Sequence, residues 1–270
     1  MKLINSSNNS LKNKIIENFS KASSTYDNYS IVQQKVAKNL FNIVVNNNLI
    51  FSDNSIILEL GTGTGEFSKY IFKLHSNTNT IIFSDISKEM LKKFREKYNW
   101  NINIIAIDGE EPSFKDNSID IIYSASTFQW FLNWDKALKN IYNILKPNGY
   151  LIFSMFGENT FYTLKKFMYE INPQYKITKT IIDYKSLIQK LKETNFNIIY
   201  SDKELIYQSF NSLRDFFKYQ KSLGTININK NSYSFTLKDF YQLNKKYMNK
   251  YNEILIDYEV YYFIVKKSLV

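Results

Sequence analysis

Five short runs of β-branched and aromatic residues alternate with helix-forming segments between Ser55 and Phe156, and no other feature restricts the fold as tightly. The runs are Ile56-Ile57-Leu58-Glu59-Leu60, then 80–84, 102–107, 119–123 and 150–154. Such runs suit strands buried on both faces. The intervening segments, such as Ser87 to Tyr98 and Asp135 to Leu145, have helical spacing, and the second is closed by Pro147 and Asn148-Gly149. Repeated βα units joined by right-handed crossovers build a parallel sheet. Two later patterns, Asn197-Ile198-Ile199-Tyr200 and Asp257 to Val265, bring the strands to seven.

Two helical additions have no place in that sheet. Ile15, Phe19 and Ala22, continued by Val32, Val36, Leu40 and Ile43, make residues 11–48 helical before the first strand. Residues 209–251 are mostly helical between strands six and seven, with a polar break at Asn227–Asn231. The expected organisation is a lid segment at 1–50, an α/β core at 51–208, a lid insertion at 209–251 and a last strand within 252–270.

Composition removes several chemistries. The chain has 270 residues, 44% hydrophobic, enough for a sizeable core. Without an apolar run near ~18–20 residues or a signal-peptide start, it is expected to be cytoplasmic and free of membrane spans. There is no cysteine and one histidine, His75, read as a solvated residue at a helix end. Thiolate nucleophiles, zinc clusters and Ser/His pairs therefore have little to be built from, and no metal is expected. The net charge of +10 superficially suggests nucleic acid, but 33 of the 35 basic residues are Lys, and base readout favours Arg forks. Only Arg95 and Arg214 are present, so no nucleic-acid partner is expected. The charge is uneven: residues 1–150 carry 17 basic and 14 acidic side chains, residues 151–270 carry 18 and 11.

The sharpest local signal is Glu59-Leu60-Gly61-Thr62-Gly63-Thr64-Gly65, where the first strand gives way to a helix. Glycines at a strand's carboxyl end let backbone approach a ligand. A dinucleotide fingerprint would need Gly or Ala at Glu66, and acids here would crowd a pyrophosphate. S-adenosylmethionine, with an ammonium and a sulfonium and no phosphate, fits better. Glu59 can then stand near its methionine end, with Gly61, Gly63 and Gly65 approaching the carboxylate and ribose. Asp85, after the second strand, suits the ribose hydroxyls, and Ile86 and Met90 can cover the adenine. Asp108, followed by Gly109 after the third strand, can accept from the adenine amino group.

The whole chain resembles the BioC family of malonyl-acyl-carrier-protein O-methyltransferases, within the Rossmann-like class I methyltransferases. The resemblance rests on Phe19-Ser20-Lys21-Ala22 with Tyr26-Asp27, Gln33 and Ala37, on Ser126-Thr127-Phe128-Gln129-Trp130, and on Phe153 to Thr160. Leu213-Arg214, Gly224-Thr225 and Tyr258-Glu259-Val260-Tyr261 add to it. It implies methylation of the free carboxyl of a malonyl thioester on an acyl-carrier protein, or on coenzyme A, in early biotin synthesis. S-adenosylhomocysteine would be the product. Ser126 would join the cofactor site, while Tyr26, Gln129 and Arg214 would position substrate. Trp130 and Trp134 read as core or pocket wall. A monomer is expected. A quinone-type acceptor, or a cofactor-binding assembly factor acting on a protein partner, are the competing readings.

Overall fold

A computed structural model describes residues 2–49, 51–75, 79–175, 181–225 and 236–268, with the backbone alone for 2–8. The polar break expected at Asn227–Asn231 lies outside these residues. Seven strands form one sheet: β1 (Ile56–Leu60), β2 (Thr80–Asp85), β3 (Asn103–Ala106), β4 (Ile119–Ala125), β5 (Leu145–Phe156), β6 (Phe196–Phe210) and β7 (Ile254–Lys267). Their order is β3-β2-β1-β4-β5-β7-β6. The first five pair in parallel, and β7 runs antiparallel between β5 and β6. Strand order reverses direction between β1 and β4, the place where an open α/β sheet leaves a crevice at its carboxyl end.

The alternation of side chains along the strands separates two cores. Ile57, Phe83, Ile121, Tyr123 and Ile152 lie on one face with α3 (Ile31–Asn46), α4 (Ser68–His75) and α5 (Lys88–Lys97). Leu58, Leu60, Ile122 and Phe153 lie on the other with α6 (Trp134–Ile144) and α8 (Tyr184–Glu193). Helix α7 (Tyr162–Ile171) and α10 (Leu237–Tyr251) pack on the first face through Phe167 and Tyr247. No helix among the described residues is long and apolar enough to cross a membrane.

Several elements depart from their expected form. The region 1–50 divides: α3 buries Val32, Val36, Leu40 and Val44 against the sheet, because its apolar stripe is continuous. Only α1 (Lys2–Ala22) and the short α2 (Tyr26–Tyr29) cross the crevice. The sixth strand, expected at 197–200, runs on to Phe210 and pairs with β7 along its length. Its middle, Asp202, Lys203 and Glu204, is polar because β6 is an edge strand, and that polarity hides it from a hydrophobic pattern. The third strand is an edge as well, with Ile105 exposed, so it is not buried on both faces. Pro147-Asn148-Gly149 does not end a helix but forms a bulge inside β5, with Asn148 at φ +64.

His75 is not solvated. It is 3% exposed, 3.0 Å from the Tyr123 hydroxyl through Nε2, with its ring edge-on to Phe51. Burial lowers its pKa to about 4. Between that value and the ordinary 6.5 the unfolded chain binds a proton that the folded chain does not. This residue's contribution is therefore present above pH 6.5 and lost as the pH falls towards 4, by about 3 kcal/mol in all. His75→Gln keeps a partner for Tyr123 but cannot titrate, and other buried groups cancel in the comparison. Denaturant titrations should show wild type losing stability relative to the variant as the pH falls from 7 to 4.5; a constant difference would mean His75 charges freely in the folded protein.

Candidate functional site

The loop after β1 is shaped by where it must pass. Gly61 has φ +77, and a Cβ there would stand 2.0 Å from Thr127 Oγ1. Gly63 has φ +57 and open space where its Cβ would be, so its backbone faces the crevice bare. The end of β2 holds this loop: Ser84 O accepts from Gly61 N and Thr62 N, both at 2.8 Å. Asp85 completes the hold, its Oδ2 accepting from Gly63 N and its Oδ1 from Ser87 N, each at 2.8 Å. Burial raises the Asp85 pKa, and those backbone bonds oppose the shift.

One pocket gathers the carboxyl ends of β1 to β4. Glu59, Gly61, Gly63, Asp85, Ile86, Met90, Asp108, Gly109 and Ser126 all line it, as does Tyr26 from α2. Gly65 does not; at φ +90 its α-carbon abuts Phe94 and Tyr98 and lets the loop pack on α5. Glu59 is 1% exposed, its Oε2 accepting from Ser68 Oγ at 2.5 Å and Thr62 Oγ1 at 3.1 Å. Burial pushes its pKa up to about 7 against the pull of those two hydroxyls. A cation beside it would favour the ionised form. Desolvation, then the Asp85 charge, holds the Tyr26 hydroxyl well above its ordinary range, so it stays a proton donor.

The structure separates the residues expected on the substrate side. Tyr26 faces the pocket. Gln129 is buried and braces backbone instead, its Nε2 donating to Ser126 O at 2.5 Å and its Oε1 accepting from Phe156 N at 3.3 Å. It joins the ends of β4 and β5 and does not reach the pocket lining. Arg214 is exposed on α9 (Leu213–Ser222) and lines a separate outer groove. Trp130 is pocket wall, edge-on to Phe19 at 5.1 Å, whereas Trp134 packs on Phe128 and Phe131.

Two residues that the motifs did contain carry unsatisfied atoms, and Lys12 and Glu110 enter that no motif marked as functional. Ser126 adopts φ +55, and its buried Oγ has no partner. The Gln33 Oε1 is likewise buried and unsatisfied. Both residues line the pocket, and a buried polar atom without a partner costs about 1–3 kcal/mol, so a ligand that satisfied them would bind the more firmly. Lys12 on α1 reaches Asp108 Oδ2 at 2.5 Å and Glu110 Oε2 at 2.7 Å. Glu110 is in turn fixed by the backbone N–H groups of Leu132 and Asn133.

These contacts make α1 and α2 a strap over the crevice. Besides Lys12, Ser20 Oγ meets Ser87 Oγ at 2.9 Å, and Asp27 takes the Thr64 hydroxyl and, at 2.9 Å, Lys97 Nζ. Burial opposes the Lys12 charge, but the hydrogen bonds and charges of its two acids outweigh it and its pKa is raised. Lys12→Ala leaves Asp108 and Glu110 without their cation and removes one anchor of the strap. Hydrogen exchange read by mass spectrometry should quicken at least tenfold across 12–22 while β1 and β4 stay protected. Unchanged exchange in α1 would show that the strap does not depend on this ion pair.

The methyltransferase domain family matches residues 58–153, the stretch from β1 through most of β5. Among solved structures, the YcgJ protein of Bacillus subtilis is similar with a TM-score of 0.59 at 15% identity, covering 86% of this chain and 100% of that one. A Haemonchus contortus phosphoethanolamine N-methyltransferase in complex with S-adenosyl-L-methionine has a TM-score of 0.53 at 17% identity, covering 86% of this chain and 53% of that one. The fold is that of the S-adenosylmethionine-dependent methyltransferases. Sequence likeness extends over the strap and the 209–251 insertion as well. The chain is 31% identical over 262 residues to malonyl-[acyl-carrier protein] O-methyltransferase 2 of Ilyobacter polytropus, covering 95% of this chain and 98% of that protein. It is 30% identical to malonyl-[acyl-carrier protein] O-methyltransferase of Buchnera aphidicola, covering 94% and 98%. With 31% identity over an alignment that takes in 95% of its length, the chain belongs to the malonyl-[acyl-carrier protein] O-methyltransferase family.

Proposed function

We propose that the protein transfers the methyl group of S-adenosylmethionine to the free carboxylate of a malonyl thioester carried on an acyl-carrier protein, an early step of biotin synthesis. The observation that carries this reading is the full-length likeness to proteins of that name, which takes in the segments outside the common methyltransferase core. It favours carboxyl methylation over a quinone-type acceptor and over an assembly factor.

The residues of the pocket suit such a donor. Bare backbone at Gly63, the carboxylates of Asp85 and Glu59 and the unsatisfied Ser126 hydroxyl offer partners for a ribose diol, an ammonium and a neighbouring polar group. When bound there, S-adenosylmethionine supplies an electrophilic methyl on sulfur, and its transfer to a carboxylate oxygen leaves the bonding electron pair on sulfur with no proton to move. A malonyl carboxylate is already ionised at neutral pH, since carboxyl pKa values lie near 4. The protein is then asked for alignment and exclusion of water rather than for a base. Phe19, Trp130 and Phe131 wall the pocket against solvent. Tyr26, held in its protonated form, can donate to an acceptor oxygen, and Gln33 stands on the same lining.

Intact-protein mass after incubation with S-adenosylmethionine and malonyl-loaded carrier tests the reaction: a gain of one methyl group is expected, and none would overturn the proposal. Asp85→Ala should weaken donor binding at least tenfold in calorimetry, since a charged hydrogen bond is worth ~1.5–3 kcal/mol; an unchanged affinity would place the ribose elsewhere. Two pH profiles separate binding from chemistry. With the donor saturating, single-turnover rates should be flat from about pH 6 to 8.5. Donor affinity should fall as the pH drops below 7, where Glu59 takes up its proton, and Glu59→Gln should bind more weakly with that fall removed. A chemical step that titrates near 7 would instead indicate a protein base.

A further inference from the structure

The outer groove is a feature that the proposed reaction does not use. It lies between α1, α9 and the start of α10, and its lining includes Lys21, Arg214, Phe217, Lys218, Lys221 and Phe240, four of them cationic, with no acid. Arg214, Lys218 and Lys221 enter no ion pair among the described residues. The single acid on α9, Asp215, takes the hydroxyl of its own cap, Ser212. The insertion as a whole, 209–251, holds eight basic and two acidic residues, so most of the chain's net charge of +10 sits in one segment.

Position makes this more than a solvated surface. Helix α1 is a wall common to both cavities: Ile15 and Phe19 face the pocket, while Asn18, Lys21 and Ala22 face the groove. The two helices are fastened to each other at the groove's edge. Thr25 Oγ1 donates to Ser222 O at 3.0 Å, and Gly224, at φ +70, lies so near α1 that a Cβ would meet Asn18 O at 2.7 Å. Whatever binds in the groove therefore touches the helix that covers the reaction site. Leu237, 90% exposed, adds an apolar edge beside the cations.

We propose that this groove is the docking surface for the malonyl-loaded carrier protein, with Arg214, Lys218 and Lys221 receiving the carrier's acidic face and the serine-linked phosphodiester of its pantetheine arm. The inference rests on the function proposed above. The choice of occupant follows from charge: Lys21 is met by Glu17, but Arg214, Lys218 and Lys221 leave the lining cationic, which favours an anionic partner and speeds encounter with it, and a guanidinium fork on Arg214 matches a phosphate. A thioester on a flexible arm then enters the pocket past the strap while its protein stays outside.

The test uses the full-length enzyme and a double charge reversal, Lys218→Glu with Lys221→Glu, on residues exposed enough to leave the fold intact. Turnover of malonyl-carrier should show KM raised at least tenfold with kcat within about twofold, and S-adenosylmethionine affinity should be unchanged. Lys218→Arg with Lys221→Arg should restore the wild-type KM. In wild type the KM should climb between about 50 and 300 mM salt, and in the reversed variant it should change far less. An unchanged KM in the reversed variant, or one insensitive to salt in wild type, overturns the groove and leaves the reaction standing. A wild-type enzyme that leaves malonyl-carrier unmethylated overturns the reaction and the proposed occupant together.

Discussion

The site depends on how the last turn of β2 holds the loop that follows β1. Ser84 O accepts from two consecutive N–H groups and the Asp85 carboxylate from a third, so three residues of a glycine-rich loop are positioned by one neighbouring strand. A buried carboxylate without such bonds would sit protonated or cost several kcal/mol. Here the same carboxylate also takes Ser87 N at the start of α5, and one side chain thereby sets the loop, the helix and the floor of the pocket. Asp85 is thus held as structure on one side and presented to the crevice on the other.

Above that floor the cover is polar where it is fastened and aromatic where it meets the pocket. Lys12, Ser20 and Asp27 bind α1 and α2 to the core at the termini and loops of the sheet, and Phe19 leans on Trp130 between those points. Ion pairs and single hydrogen bonds of this kind contribute little individually, about 1 kcal/mol or less where solvent reaches them. A cover fastened in this way opens at modest cost, which an enzyme that must admit two substrates requires.

Much of this was legible in the sequence for physical reasons that apply residue by residue. Glu59, Asp85 and Asp108 stand at the ends of successive parallel strands, and parallel strands bring their carboxyl ends to one edge, so their convergence follows from topology alone. Tertiary direction was not legible. Arg214 is distinctive by type in a lysine-rich chain, but type does not say which way α9 turns it. Gln129 looks like a substrate-facing polar group, yet its amide is taken up by Ser126 O and Phe156 N. Lys12 is one of 33 lysines, and its partners lie nearly a hundred residues away. His75 sits at a helix end, as expected, but Phe51 and Tyr123 close over it. The left-handed backbone of Ser126 leaves no mark in the sequence at all.

The charge on the pocket wall carries a consequence for the order of events. Glu59, Glu66, Asp85, Asp108 and Glu110 line the pocket against a single lining cation among the described residues, Lys12, with Lys69 and Lys97 meeting Glu66 from outside the lining. An anionic acceptor entering first would approach that wall with little to offset its own charge. A donor that bears an ammonium, a sulfonium and one carboxylate brings a net positive charge to the same space, and after it the carboxylate meets a sulfonium in place of an acidic surface. Once the methyl has passed, sulfonium and carboxylate have both become neutral, the attraction that joined them is gone, and the spent pair is left with less holding it than the pair that entered. On the proposed function, the acids that receive the donor would also give the cycle a direction, with charge as the turnstile.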